Sequence, residues 1–182
     1  MMIRAEKLAD VQSEPITLAD AKAHLRVVVN DEDALIGALI TAAREEAEAV
    51  CGRRFGEQTW RLTFDGFDRI RLAGCGQVTS ATLQARQPDG SWAALASGFE
   101  LVKSVPAVVR FLDAFARPEP VEFEEKLRVE AACGEPLPKT VRAWMLLRVG
   151  TLYENREADS TNKTAPHDFV SSLLAPHRVL EF

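Results

Sequence analysis

The stretch Leu137–Glu157, LPKTVRAWMLLRVGTLYENRE, is the one on which the reading of the whole chain turns. Pro136 and Pro138 mark its start, because proline is tolerated in the first turn of a helix, where its missing N–H costs little. Six of the seven residues from Ala143 to Val149 are apolar, with Arg148 the exception. A helix apolar nearly all round is enclosed by other elements rather than laid on a surface, and the run is too short to span a bilayer. Gly150 interrupts it at a cost of about 1 kcal/mol relative to alanine, which points to a place where another backbone comes close. At Glu154-Asn155-Arg156-Glu157 the stretch turns polar, so this central helix, residues 136–157, is expected to be a core post whose polar end faces a partner.

Working back towards the N-terminus, residues 1–14 read as a flexible arm and residues 15–57 as a pair of helices. Thr17 is the N-cap of the first, with Asp20 in capping-box position. Leu18, Ala21, Leu25 and Val28 follow at helical spacing, so the helix is expected through about Val27. Asn30-Asp31-Glu32-Asp33 breaks it and starts a second helix that runs to about Cys51, with Gly52 as its C′ residue. Ile36, Ile40, Ala43, Ala47 and Val50 form its apolar stripe, widened by Leu35, Leu39 and Ala42. Thr41, Arg44, Glu45 and Glu48 fall on the opposite side. Glu46 lies inside the apolar stripe. Either it snorkels to water near the helix end, or it pairs with Arg142, Arg148 or an arginine of a neighbouring subunit, since an unpaired buried carboxylate is costly.

Between the helical segments, residues 58–133 change period from helical to two. Trp60, Leu62 and Phe64 alternate with Arg61, Thr63 and Asp65. Further strands are expected at Arg69–Leu72, Gln77–Gln87, Ser91–Leu95, Phe99–Val102, Ala107–Leu112, Val121–Phe123 and Lys126–Ala131. Pro88-Asp89-Gly90-Ser91 is a turn that makes two of them a hairpin. Past the central helix, residues 158–182 form a tail: a polar loop to Pro166, a short helix His167–Leu174 stopped by Pro176, and an apolar end that a lone domain has little reason to expose. The fold class expected is α+β, a mainly α-helical scaffold of two N-terminal helices and a long C-terminal helix, with a small antiparallel sheet inserted, in one domain spanning 1–182.

Composition narrows function by exclusion. The 182 residues suit one domain with a substantial core. A net charge of −5 argues against a protein that grips phosphates. The three cysteines are odd in number and form no C-x-x-C, and MMIRAEKLADVQ carries no apolar signal region, which together indicate thiols in a reducing compartment. His24, His167 and His177 are scattered, so no metal-ligand cluster is visible. There is no G-x-S-x-G, no Walker A loop, no H-E-x-x-H, and no G-x-G-x-x-G after a strand. Gly74-Cys75-Gly76 reads as a tight turn rather than a reactive thiol, because no histidine partner accompanies it. The expectation is a non-enzyme with no catalytic residues, no cofactor and no metal.

Several strings resemble one family. They are Pro15-Ile16-Thr17-Leu18-Ala19-Asp20-Ala21-Lys22-Ala23-His24-Leu25-Arg26, then Asp31–Ile36, then Ala42–Glu45 followed by Cys51-Gly52-Arg53. Gln58-Thr59-Trp60 opens the strand block, Leu152-Tyr153-Glu154-Asn155-Arg156-Glu157 closes the last long helix, and Leu173-Leu174-Ala175-Pro176-His177-Arg178 lies in the tail. In this order they resemble the head–tail connector (adaptor, or head-completion) proteins of long-tailed double-stranded DNA phages and prophages. The resemblance implies a structural ring of about a dozen subunits joined by head-to-tail, heterologous interfaces. Such a ring docks on the portal protein, extends the DNA channel, and offers a surface to a head-closure or tail-completion protein. DNA passes through it without sequence-specific binding, and no membrane is involved. It implies a location at the head–tail junction of the virion, with assembly in the bacterial cytoplasm. Tyr153, Asn155, Arg156 and Arg178 are the residues it suggests for contacts, Arg156 through a bidentate carboxylate pair. Alternatively, Tyr153 and Arg156 tie the helix end to the chain's own sheet or tail. Tail completion or another morphogenetic role is the alternative within phages. A small-ligand-binding or enzymatic domain is the alternative from a different class, though no convergent set of polar residues speaks for it.

Overall fold

The computed structural model describes residues 1–68, 70–118, 121–155 and 172–179. Their order is β1 (Met2–Ala9), α1 (Leu18–Leu25), α2 (Asp33–Cys51), β2 (Gln58–Phe64), β3 (Ile70–Leu72), β4 (Val78–Arg86), β5 (Trp92–Leu95), β6 (Phe99–Val102), β7 (Ala107–Phe111), β8 (Leu127–Cys133) and α3 (Lys139–Glu154), with a 3-10 turn at Ala175–His177. The chain divides into two compact units, Met1–Gln12 with Gly56–Glu135, and Ser13–Phe55 with Pro136–Phe182.

The first unit is built from β structure. Five strands pair in the order β1-β2-β8-β4-β5 and three in the order β3-β7-β6, every pairing antiparallel. Along β2 and β8 the register runs from Gln58 opposite Cys133 to Phe64 opposite Leu127. Period-two alternation places Leu62 and Phe64 with Leu127, Val129 and Ala131 on one face. These join Leu83 of β4, Ile70 and Leu72 of β3, and Ala107 and Val109 of β7 in a single apolar cluster. The Pro88–Ser91 turn forms as its residues dictate. Asp89 Oδ1 accepts from the Ser91 N–H (2.8 Å) and hydroxyl (2.7 Å), and Gly90 takes φ 84°.

The chain is not a mainly helical scaffold with a small sheet inserted: among the described residues, eight strands in two antiparallel sheets stand beside three helices. Alternation within each short run identifies strands one at a time, but partnering decides how large the β unit becomes, and partnering is non-local. Nor is the segment 1–14 simply a loose arm, because Met2–Ala9 is the edge strand β1, antiparallel to β2. Nearly every β1 residue is exposed, so no apolar alternation announces it; the backbone ladder holds it. Its register shifts twice, between Met2 and Arg4 and between Lys7 and Ala9, irregularities that blunt a sheet edge. Residues Val121–Phe123 form no strand.

The second unit holds the helices around Ile16, Ile36, Ile40, Ala43, Ala47, Phe55, Val141, Trp144, Met145, Val149 and Leu174. The capping box forms at α1: Thr17 Oγ1 accepts from Asp20 N at 3.1 Å, and Asp20 Oδ2 accepts from Thr17 N at 3.4 Å. α1 ends two residues sooner than its spacing predicts, at Leu25, with Arg26 left-handed at φ 58°. α2 ends on Gly52, which is left-handed as expected. α3 is not enclosed all round: it buries Val141, Trp144, Met145 and Val149, while Leu147 is 40% exposed.

Candidate interaction surface

The polar end of α3 is where the sequence places its contact residues. Asn155 closes the helix: its backbone N–H and its Nδ2 both donate to Thr151 O, at 3.1 and 2.7 Å. Tyr153 donates its hydroxyl to the Glu32 carboxylate, at the start of α2. Arg178 sits at the other end of α2, its Nε donating to Val50 O at 3.4 Å while the side chain reaches solvent. Positions 32 and 50 are about 27 Å apart at 1.5 Å per helical residue, so Tyr153 and Arg178 do not share one patch. Arg156 lies outside the described residues, as do His167 and most of the predicted helix 167–174.

The tail is less separate than its sequence suggests. Leu174 is buried in the helical core, Val179 N donates to Cys51 O at 2.8 Å, and Arg53 Nε donates to His177 O at 2.6 Å. The ring of His177 meets Thr140 Oγ1 at 2.6 Å.

Two arginines on opposite sides of the helical unit have contrasting roles. Arg148 donates from Nε to Glu46 Oε2 at 2.7 Å, with both side chains more than a third exposed. The pairing considered for Glu46 is the one observed, and it sits at the rim of the core. Arg44 and Glu48, assigned from the helical wheel to the solvent side of α2, are instead buried, 0% and 3% exposed. Arg44 Nε donates to Glu14 Oε2 at 2.8 Å, and its Nη1 reaches both oxygens of Glu48 at 3.3 Å. Glu48 Oε1 also accepts from the Phe55 N–H at 2.9 Å, and Glu14 Oε1 accepts from Thr41 Oγ1 at 2.7 Å. The network therefore ties Glu14, just inside one end of the unit, and Phe55, at another, to the middle of α2. The signal for it was the Arg–Glu spacing of four residues, which puts both groups on one helix face.

The surface also carries unburied apolar groups. Val28 is 91% exposed and Val29 54%, in the connection between α1 and α2. In the β unit, Met2, Ile3 and Leu8 of edge strand β1 are exposed as well. Beside α1, the Thr17 hydroxyl holds the Asp20 carboxyl below its ordinary range, helped by Arg142 at 2.9 Å. None of the three cysteines forms a disulfide, and all are buried, Cys75 included. Among the described residues no group of three or more His, Cys, Asp or Glu side chains is placed to hold a metal ion. No described helix is long and apolar enough to cross a membrane.

The chain was compared with known proteins on both sequence and fold. No curated protein matches it in sequence. Residues 15–75 match the family described as Phage gp6-like head-tail connector protein. The fold matches a chain in the neck of an empty GTA particle computed with C6 symmetry, with a TM-score of 0.80 and 18% identity. It also matches one in the virion of a native gene transfer agent (GTA) particle (0.81, 18%) and one in the neck of the native particle computed with C12 symmetry (0.79, 18%). In each case 99% of this chain and 97% of the other are covered. At that identity the neighbours show the fold, and the sequence match lies in residues 15–75. Through residues 15–75 the chain thus resembles the Phage gp6-like head-tail connector proteins, and over nearly its whole length it carries the fold of chains found in the necks of GTA particles.

Proposed function

We propose that this protein is a structural component of a virion neck, an adaptor that assembles as a ring of about twelve copies between the portal vertex and the tail. One observation carries the reading: a fold shared end to end, over 99% of the chain, with neck chains of gene transfer agent particles. Those necks were computed with C6 and C12 symmetry, which supports a closed ring for this chain too. The family match over residues 15–75 supports a connector rather than an enzyme. In this reading the portal protein lies on one side of the ring and a head-closure or tail-completion protein on the other. DNA passes through a channel whose net negative subunits discourage sticking. Assembly takes place in the host cytoplasm, and the finished ring sits at the head–tail junction. Arg156 and, on a separate patch, the exposed Arg178 meet carboxylates of neighbours, and Tyr153 and Asn155 set the end of α3.

Electron microscopy of the full chain mixed with its cognate portal protein tests this. The expected image is a ring of this chain capping one end of the portal. A portal that stays bare at saturating concentration, while the chain decorates tail components instead, would move it to tail completion. Arg178→Glu should weaken docking without lowering the melting temperature.

A further inference from the structure

At one end of the five-stranded sheet, the cross-strand row beyond Phe64, Leu127 and Ala85 is polar. Arg86 N donates to Lys126 O and Lys126 N to Phe64 O, both at 2.9 Å, and Arg86 stands opposite Trp92. This row borders a cavity of about 300 Å³ in the β unit, lined among others by Asp65, Phe67, Asp68, Arg86, Arg117 and Lys126. The Arg86 guanidinium carbon lies 4.8 Å from the centre of the Trp92 ring and 4.6 Å from that of Phe123. Trp92 also receives Arg128, at 4.0 Å. Arg86 Nε is buried without a hydrogen-bond partner among the described residues.

The charges around the cavity do not cancel. Asp68 is taken by Arg117 at 2.8 Å, and Asp65 by the terminal amine. Asp89, on the neighbouring turn, accepts from Ser91; the charge of Arg86 reaches it, and that of Lys126 reaches Asp65, only as minor contributions beyond ion-pair distance. Among the described residues no carboxylate stands within ion-pair distance of Arg86 or Lys126. On a chain of net charge −5, this is a local excess of cations. Two rings within 5 Å of the guanidinium carbon restrict the Arg86 side chain, and its N–H donors lie along its edge. That edge matches a planar carboxylate bidentately. Beside it, Phe67 and Pro118 offer apolar wall for a methylene stem.

We infer that this cavity receives an aspartate or glutamate side chain from another protein chain, with Arg86 as the fork and Lys126 as the second cation. The site would take such a group whatever assembly the chain serves.

The test is a titration of the full ¹⁵N-labelled chain with N-acetyl-glutamate N′-methylamide, its glutamine counterpart and inorganic phosphate, read on the Trp92 indole N–H and the Arg86 Nε–H. The glutamate probe should shift both signals and bind about tenfold or more tighter than the glutamine probe, as expected when a charged, bidentate pair is replaced by a neutral one. Arg86→Lys keeps the charge but not the fork and should lose most of the response. Lys126→Gln leaves the stacked guanidinium in place and should weaken binding several-fold. Equal responses to glutamate and glutamine would overturn the inference, as would full binding by Arg86→Lys. Tighter binding of phosphate than of glutamate would show a phosphate site and overturn the carboxylate assignment.

Discussion

Gly150 stands inside α3 with ordinary helical backbone, and an added Cβ would find only His24 Nε2, at 3.8 Å. Among the described residues no other backbone comes within 4 Å of that Cβ, contrary to what its sequence context suggests. Gly150→Ala should therefore stabilise the protein by about 1 kcal/mol in urea unfolding, the helix-propensity difference. Arg44 argues the opposite way. Its removal takes the arginine from Glu14 and leaves Glu48, 3% exposed, with Arg54 at 3.5 Å, so Arg44→Ala should cost about 3 kcal/mol by the same measurement, the low end for a broken buried pair. The sequence held the pieces of this network but not its burial. A helical wheel ranks faces by hydrophobicity, and Arg44, Glu45 and Glu48 together look like a solvated side. Only the returning chain at Glu14 and Phe55 turns part of that side inward. Glu46 was easier to read, because one carboxylate in an apolar stripe needs a cation or water, and at the rim it has both.

At the scale of elements, α1 rests on a local device that the sequence shows outright. Thr17→Ala removes the acceptor of the Asp20 N–H and should cost about 1 kcal/mol near neutral pH. The Asp20 carboxyl is held down in the folded state, first by Thr17 and then by Arg142, so its contribution is present above its unfolded pKa of about 3.9. That contribution fades as pH falls through the lower folded value. The gap in melting temperature between Thr17→Ala and the parent should therefore narrow below about pH 4. β1 is the contrasting element, held by pairing rather than burial. Deleting residues 1–9 strips the partner from β2 and leaves a central strand as an edge. Sedimentation should then show self-association beyond that of the parent at equal concentration. Helices, caps and the 88–91 turn were legible because their causes lie within a few residues. β1, and the gathering of short strands into two sheets, were not, because their causes include partners far along the chain, such as Ala9 with Thr59, Gln58 with Cys133 and Leu72 with Ala107.

On the scale of the whole molecule, the chain passes between its two units after Gln12, after Phe55 and after Glu135. In the β unit these passages gather at one place. Gly56 N donates to Glu135 O at 3.1 Å, and an added Cβ on Gly56 would fall 2.7 Å from Val11 Cγ1. Gly134 takes φ 144°, and a Cβ there would lie 2.1 Å from Gly56 O, so only glycine fits. The helical unit has its own core and its own buried ion network. A shortened chain joining 13–56 directly to 135–182 should therefore keep helical circular dichroism and a single cooperative melt. A broad, non-cooperative melt would show that the helices depend on the sheets.

The crowding of Val11, Gly56 and Gly134 has a consequence for how such a protein can diversify. Because the segment carrying seven of the eight described strands leaves and returns through adjacent residues of the β unit, its two ends stay together whatever lies between them. Strands can be lengthened, dropped or replaced between Gly56 and Gly134 without re-routing the termini of α2 and α3. One helical frame can in this way be refitted with decorations of different size.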